Sequence, residues 1–272
     1  MKLKNLLKGG FKKKRPPVPE ITIENSPVEI DYVRKKKYVT SIDVSRCRTN
    51  IMGRSLVESP FVAFLKEYET GKVTTYKGSL LERFYNEVQP KSMCEVLGLD
   101  GGPFQDVHAM ATIMPWWDLT PDNCLPQRAV DVNATDLLGK EAVSNGLKEK
   151  DNFGWQHFGP ISDEVGELEF QRLVTVYKSI KEKGYITRGS VPINGEFLVT
   201  DSDWAWTGLG GKHRMTSLVA LGWERIPVTT KGRYGAPIVK AAEVDSWPNV
   251  RNGLFTRDQA LTVFSHISGI EI

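Results

Sequence analysis

Apolar residues recur every three or four positions in several parts of the chain, which is the spacing of one helix face. Polar residues mark where such segments begin, as Ser59 does before Pro60, and glycines mark where they end, as Gly71 and Gly184 do. The pattern predicts helices from Ser59 to Gly71, Ser79 to Val88, Glu167 to Lys183, Lys212 to Leu221 and after Thr256, with a short helical turn from Lys91 to Leu97.

Shorter runs of β-branched and apolar residues predict strands at Tyr38 to Val44 and at Ile226 to Thr229. Residues Ser190 to Val199 predict one or two strands around a hairpin turn at Asn194-Gly195, because Asn-Gly is a typical hairpin turn. We therefore predict an α/β (α+β) fold in which a small mixed sheet with helices follows a mainly helical N-terminal region.

Residues 98–135 follow neither pattern and are rich in proline and aromatic residues, including Trp116 and Trp117. Long irregular segments in compact domains usually have a function or cover something. The favoured interpretation is that the two rings pack this segment onto the core, and the alternative is that they stack on a base or sugar ring. The tail from Trp247 to Thr256 is interpreted as packing or as a lid.

The chain has 272 residues, which is enough for one large domain or two ordinary ones. We expect a disordered basic arm at 1–19, a helical and irregular region at 20–150, and a second domain at 151–272.

Apolar residues make up 40% and charged residues 25%, which excludes a largely disordered chain. No apolar run has the length of a membrane-spanning helix, and three scattered cysteines form no disulfide framework, so a cytoplasmic protein is expected.

The positive charge is concentrated at the N-terminus. Residues 1–50 contain 13 Lys/Arg and 5 Asp/Glu, whereas the rest of the chain contains 23 and 28. The folded part is therefore mildly acidic, which argues against DNA as a partner. Residues 1–17 combine a short leucine stripe with lysines, which is consistent either with peripheral contact to an anionic membrane or with a solvated tail.

The segment Gly210-Gly211-Lys212-His213-Arg214 is the clearest chemical motif. A helix N-terminus offers N–H groups and a positive dipole end, and glycines let an oxyanion approach the backbone. Cations in a first helical turn oppose that dipole unless an anion neutralises them. The segment therefore predicts a phosphate site, with Thr216, Ser217 and Arg188 as further candidates; the alternative is a tight turn with solvated side chains.

The same segment, followed by a helix and by Leu221-Gly222-Trp223-Glu224-Arg225-Ile226-Pro227-Val228, resembles the ParB/sulfiredoxin superfamily. The run Ser179-Ile180-Lys181-Glu182-Lys183-Gly184 is similar to a helix end of that superfamily, and Gly159-Pro160-Ile161-Ser162 to its polar loop near the phosphates. The resemblance covers about residues 155–232. It implies a ParB/sulfiredoxin-like nucleotide-binding domain that takes ATP or a CTP-type nucleotide, with Ser162 near the phosphates.

The sequence differs from members of the superfamily at several points, and these differences limit the activities that the resemblance implies. Lys212 occupies the position of the sulfiredoxin cysteine, which argues against sulfinic acid reduction, and the helix-turn-helix reader of ParB is missing. The free-serine kinases of the superfamily imply that phosphoryl transfer is within reach of the fold. The chain also resembles uncharacterised ParB-like proteins linked to surface-polysaccharide biosynthesis.

Phosphoryl transfer needs charge neutralisation, usually by Mg²⁺, and a carboxylate that orients the acceptor hydroxyl. Asp163, Glu164 and Glu167 are the candidates, and the alternative is that they complement a helix dipole. Asp201 and Asp203 are rivals. No protein metal site is expected, because the histidines lack metal-ligand spacing.

We therefore expect a nucleotide-binding protein that acts as a kinase or nucleotide hydrolase on a small molecule or glycan, with Mg²⁺. The alternative is a non-catalytic, nucleotide-switched module that contacts DNA or membrane. A nuclease is a third hypothesis, but no cluster of carboxylates supports it. The expected location is the cytoplasm, with the inner membrane face as a peripheral site.

The arm can be tested by deleting residues 1–17. We expect the truncated protein to fold but to sediment less with anionic vesicles, because cations near such a surface contribute about 1 kcal/mol each. The difference should shrink as salt rises and be absent with neutral vesicles, which serve as the control. Equal pelleting of both proteins with anionic vesicles would show that the arm is only a solvated tail.

Overall fold

The computed structural model describes residues 20–21, 39–49, 51–124, 157–186, 193–230 and 234–272. The predicted basic arm and Arg188 lie outside the described residues. Within them the protein is a mixed sheet covered by helices on both faces.

The sheet has the strand order β1-β2-β6-β4-β5-β3, with β7 also paired to β4. Its strands are β1 (Glu20–Ile21), β2 (Val39–Asp43), β3 (Cys47–Arg48), β4 (Asn194–Val199), β5 (Trp204–Gly210), β6 (Arg225–Thr230) and β7 (Ile238–Lys240). β4 and β5 are antiparallel, as are β2 and β6, whereas β3 runs parallel to β5. The predicted mixed α/β class is confirmed.

The predicted hairpin turn at Asn194-Gly195 is wrong, because both residues belong to β4. The chain reverses instead at Thr200–Asp203, where the Thr200 N–H donates to the Asp203 carbonyl at 2.9 Å. The register of β4 against β5 shifts between Asn194 and Gly195. A Cβ on Gly195 would lie 2.1 Å from the Thr207 carbonyl oxygen, so glycine serves close strand packing here rather than a turn.

Within the described residues the helices are α1 (Pro60–Glu69), α2 (Leu80–Glu87), α3 (Met93–Leu97), α4 (Asp163–Lys183), α5 (Lys212–Ala220), α6 (Pro248–Arg251) and α7 (Arg257–Ser268), and residues 121–124 are also helical. Short 3-10 turns occupy Val44–Arg46, Ala109–Ala111 and Ala241–Ser246. The predicted helices are confirmed, and most of their ends lie within two residues of the predicted positions. The exception is α4, which begins four residues before the predicted Glu167, because the Ser162 hydroxyl accepts the Val165 N–H and caps it there.

Successive side chains of β4 point to opposite faces of the sheet and join two different hydrophobic clusters. Phe197 and Val199 join a cluster with side chains of α1, α4 and α5 on one face of the sheet. Leu198, between them, faces a second cluster built by α3, α7 and the segment before residue 124. This alternation is what a strand buried on both faces requires. The sheet therefore supports one helical layer on each side.

Strands from both sides of the predicted boundary at residue 150 share this sheet. β2 pairs with β6, and β3 pairs with β5. Helix α1 likewise packs against α5. The predicted helical region before residue 150 therefore also contributes strands, and it shares a core with the second domain. None of the helices in the described ranges has the length and apolar character needed to span a bilayer.

The two tryptophans of the irregular segment are buried, as the favoured interpretation required. Their indole N–H groups both donate to Oε1 of Glu196, at 2.8 Å from Trp116 and 3.3 Å from Trp117. Glu196 is 1% exposed, and no hydrogen bond reaches its other oxygen from the described residues. Burial raises the pKa of this carboxyl to about 7, although the two indole hydrogen bonds oppose the shift.

The pH dependence of stability tests this buried acid. Because the pKa of Glu196 is higher in the folded state than its ordinary 4.5, its proton stabilises the fold at low pH. That stabilisation, about 3 kcal/mol in size, should be lost as pH rises from 4.5 to 7. We expect Glu196→Gln, measured by urea unfolding from pH 4.5 to 8, to match wild type at pH 4.5 and to exceed it at pH 8.

The exposed Glu224→Gln is the matched control and should follow wild type throughout. Parallel curves for wild type and Glu196→Gln would contradict the raised pKa of Glu196.

Candidate functional site

An open cleft of about 650 Å³ lies where α1, α4 and the junction of β5 with α5 meet. Residues on one face of α4 form one wall, the glycine-rich junction forms a second, and the start of α1 contributes a third. Its described lining is Thr49, Met52, Arg54, Leu56, Ser59, Pro60, Phe61, Phe84, His157, Arg172, Thr175, Val176, Ser179, Ile180, Lys183, Gly184, Tyr185, Ile186, Gly208, Leu209, Gly210, Gly211, Lys212, His213, Arg214 and Met215.

The glycines let the chain turn from β5 into α5. Gly211 is the residue before the helix and has φ 91°, a left-handed conformation that side chains rarely adopt. Among the described helices of eight or more residues, α5 alone begins without a side-chain cap, whereas Ser59, Ser79, Ser162 and Thr256 cap the others. The positive end of the α5 dipole therefore borders the cleft, and the residue before the helix supplies no side-chain oxygen to it.

A fully buried carboxylate lies behind the first turn of α5. Glu169 of α4 is 0% exposed, and its Oε1 accepts a hydrogen bond from His213 Nε2 at 2.8 Å. The Lys212 Nζ lies 3.3 Å from the same oxygen, and Arg172 Nη1 lies 3.9 Å from Oε2. Burial raises the pKa of Glu169, but the charges of His213, Lys212 and Arg172 outweigh it and lower that pKa to about 2.

This carboxylate provides part of the negative charge that the cations at the start of α5 require. Cations in the first turn of a helix need an anion, and Glu169 supplies one from inside the protein. The side chain of Lys212 still reaches the cleft, where its Nζ lies 3.9 Å from the centre of the Phe61 ring. Lys212 therefore stands between an internal carboxylate and the open space of the cleft.

Arg214 also lines the cleft. Its guanidinium is a hydrogen-bond partner of Tyr185, whose pKa is raised by burial and lowered by Arg214, with burial dominant. Arg172 and Lys183 lie eleven residues apart on the cleft face of α4, which corresponds to about 16 Å along the helix. Basic side chains therefore lie along the length of the cleft rather than at one point.

The lining has one sign of charge. Arg54, Arg172, Lys183, Lys212 and Arg214 contribute to it, and no Asp or Glu occurs among the described lining residues. Glu169 lies behind this surface next to two of these cations, Lys212 and Arg172, and its single negative charge balances one positive charge. A cleft with several cations and no exposed carboxylate attracts anions.

The candidate carboxylates lie outside the cleft. Asp163 is exposed and pairs with Lys77 at 3.0 Å, and Glu164 is exposed. Glu167 accepts the Tyr76 N–H at 2.8 Å. All three lie in the first turns of α4, where their charge complements the helix dipole.

Other candidate residues also lie outside the described lining of the cleft. Ser162 caps α4, and the hydroxyls of Thr216 and Ser217 are buried and donate to carbonyls of the preceding helical turn. Asp203 belongs to the hairpin turn and pairs with Arg46, and Asp201 is exposed there. Of the predicted phosphate ligands, Gly210, Gly211, Lys212, His213 and Arg214 line the cleft.

Sequence reasoning missed Glu169, Arg172, Lys183 and Arg54. One signal was present: Glu169 lies four residues after Val165 and four before Leu173, so a charge interrupts the apolar stripe of α4. A carboxylate on such a stripe needs a cationic partner. No group of three or more His, Cys, Asp or Glu that could hold a metal ion occurs within the described ranges.

No protein-family model matches the chain, and no curated protein or solved structure matches it either. The ParB/sulfiredoxin resemblance therefore stays a prediction, carried by the motifs between residues 155 and 232.

Proposed function

We propose that the cleft binds the phosphate groups of a nucleotide of the ATP or CTP type. The observation that supports this most directly is the cleft's composition: the uncapped start of α5 opens into a space lined by five Lys and Arg residues and by no described carboxylate. Backbone N–H groups at such a helix start suit phosphate oxygens. Arg214 and Lys212 flank that start and would make charge-assisted hydrogen bonds to the phosphates.

The composition of the cleft lining also affects how a Mg²⁺ ion could be held there. A magnesium ion that accompanies a nucleotide is usually held by one or two carboxylates together with phosphates and water. Because no carboxylate occurs in the described lining, we propose that Mg²⁺ enters as part of the nucleotide complex and is held mainly by its phosphates.

Phosphoryl transfer to a small molecule or glycan requires one more group, a carboxylate or other base near the acceptor hydroxyl. The described residues of the cleft supply none, since Asp163, Glu164 and Glu167 lie elsewhere on α4. The cleft therefore supports nucleotide binding more directly than transfer, and it favours the nucleotide-switched binding module over the kinase.

Nucleotide affinity tests the proposal. We expect Lys212→Ala and Arg214→Ala each to weaken the binding of ATP or CTP about ten-fold or more, because a charge-assisted phosphate contact contributes about 1.5–3 kcal/mol. Isothermal titration with and without Mg²⁺ gives the affinities, and circular dichroism confirms folding. The matched control is Lys72→Ala, an exposed lysine away from the cleft, which should bind as wild type does. Unchanged affinity in both cleft variants would refute the proposal.

Turnover separates binding from transfer. We expect Asp163→Ala, Glu164→Ala and Glu167→Ala to keep wild-type nucleotide affinity and wild-type phosphate release, because none of the three lines the cleft. The assay measures phosphate release and transfer with candidate acceptors beside affinity. If one variant lost turnover while keeping affinity, that carboxylate would act in the transition state, and the kinase would become the better hypothesis.

A further inference from the structure

Glu169 and the cleft compete for the same cation. The Lys212 Nζ lies 3.3 Å from the buried Oε1 of Glu169, yet its side chain is 27% exposed and borders the cleft beside Phe61. His213 is in a similar position, because it is hydrogen-bonded to Glu169 and also lines the cleft. A phosphate in the cleft would approach a lysine that already has an anionic partner.

The buried carboxylate would also repel an anion bound in the cleft. A charge behind the cleft wall is shielded by little water, so it repels an anion in front of the wall. This repulsion grows with the charge of the anion, whereas a purely mechanical role of Glu169 would not depend on ligand charge. The two roles can therefore be separated by comparing anions of different charge.

We propose that Glu169 is the resident counter-ion of the cleft: it holds Lys212 and His213 in place before ligand binds, and it weakens anion binding in proportion to the anion's charge. On binding, a ligand phosphate takes a share of Lys212 from Glu169. This inference rests on the proposed phosphate-binding function. It makes Glu169 a residue that sets affinity without touching the ligand.

The test uses Glu169→Gln in the full chain, because glutamine keeps the shape and can still accept the His213 hydrogen bond. The probes are inorganic phosphate and pyrophosphate. We expect pyrophosphate to bind about ten-fold more tightly than to wild type, and phosphate about three-fold more tightly, as expected for loss of one partly screened negative charge near the ligand. ATP should follow pyrophosphate.

Two further variants separate charge from structure. Glu167→Gln is the matched control, because it makes the same chemical change two residues away on α4 and outside the cleft lining; it should leave both affinities unchanged. Glu169→Asp keeps the charge but shortens the side chain, so its affinities should stay near wild type even though its melting temperature falls.

Equal or weaker pyrophosphate binding by folded Glu169→Gln would overturn the inference, as would the same gain for both anions. If that variant does not fold, the pair Lys212→Met and Lys212→Met/Glu169→Gln replaces it, since the double variant keeps the charge balance. The double variant should bind pyrophosphate about ten-fold more tightly than Lys212→Met, and no gain would overturn the inference. Wild type that binds neither pyrophosphate nor nucleotide would instead refute the proposed function.

Discussion

The ion cluster around Glu169 is the interaction on which the cleft depends. A fully buried carboxylate is tolerated only when cations and hydrogen bonds surround it, and here the partners come from its own helix, as Arg172, and from α5, as Lys212 and His213. Removing the cations would leave the Glu169 charge buried without its partners, which is more costly than never having had the cluster. The cluster thereby fixes the first turn of α5 against α4, and the cleft is the space that this arrangement leaves beside α1.

The resulting surface combines two properties. Two of its cations, Lys212 and Arg172, are held next to a buried carboxylate, so little of their order remains to be imposed when an anion arrives. Its outward face nevertheless keeps an excess of positive charge, because Arg214, Lys183 and Arg54 lie beyond the reach of the Glu169 pairings that the structure shows. A surface with this charge favours anions over neutral molecules, and its cations are spread along α4 rather than gathered at one point.

The local features of this fold could be predicted from sequence, and the long-range ones could not. Serine caps and terminal glycines locate the helices, and the Gly210–Gly211 junction follows from dipole and backbone arguments alone. The dipeptide Asn194-Gly195 led to a wrong turn prediction. Asn-Gly is typical of hairpin turns, but a glycine is also required in a strand that another backbone approaches closely. Glu169 could not be paired with Lys212 from sequence, since the two are distant in the chain and only the packing of α4 on α5 brings them together.

The pairing of β2 with β6 has a consequence for how the molecule is made. Thr40 lies opposite Val228, so this part of the sheet closes only after the residues up to Val228 have left the ribosome. Helix α1 must likewise wait for α5, which packs on it and completes the cleft. Long loops between partners slow folding, because their closure entropy is lost before the contacts form. During synthesis the apolar faces of α1 and β2 therefore remain without their native partners until α5 and β6 have been made.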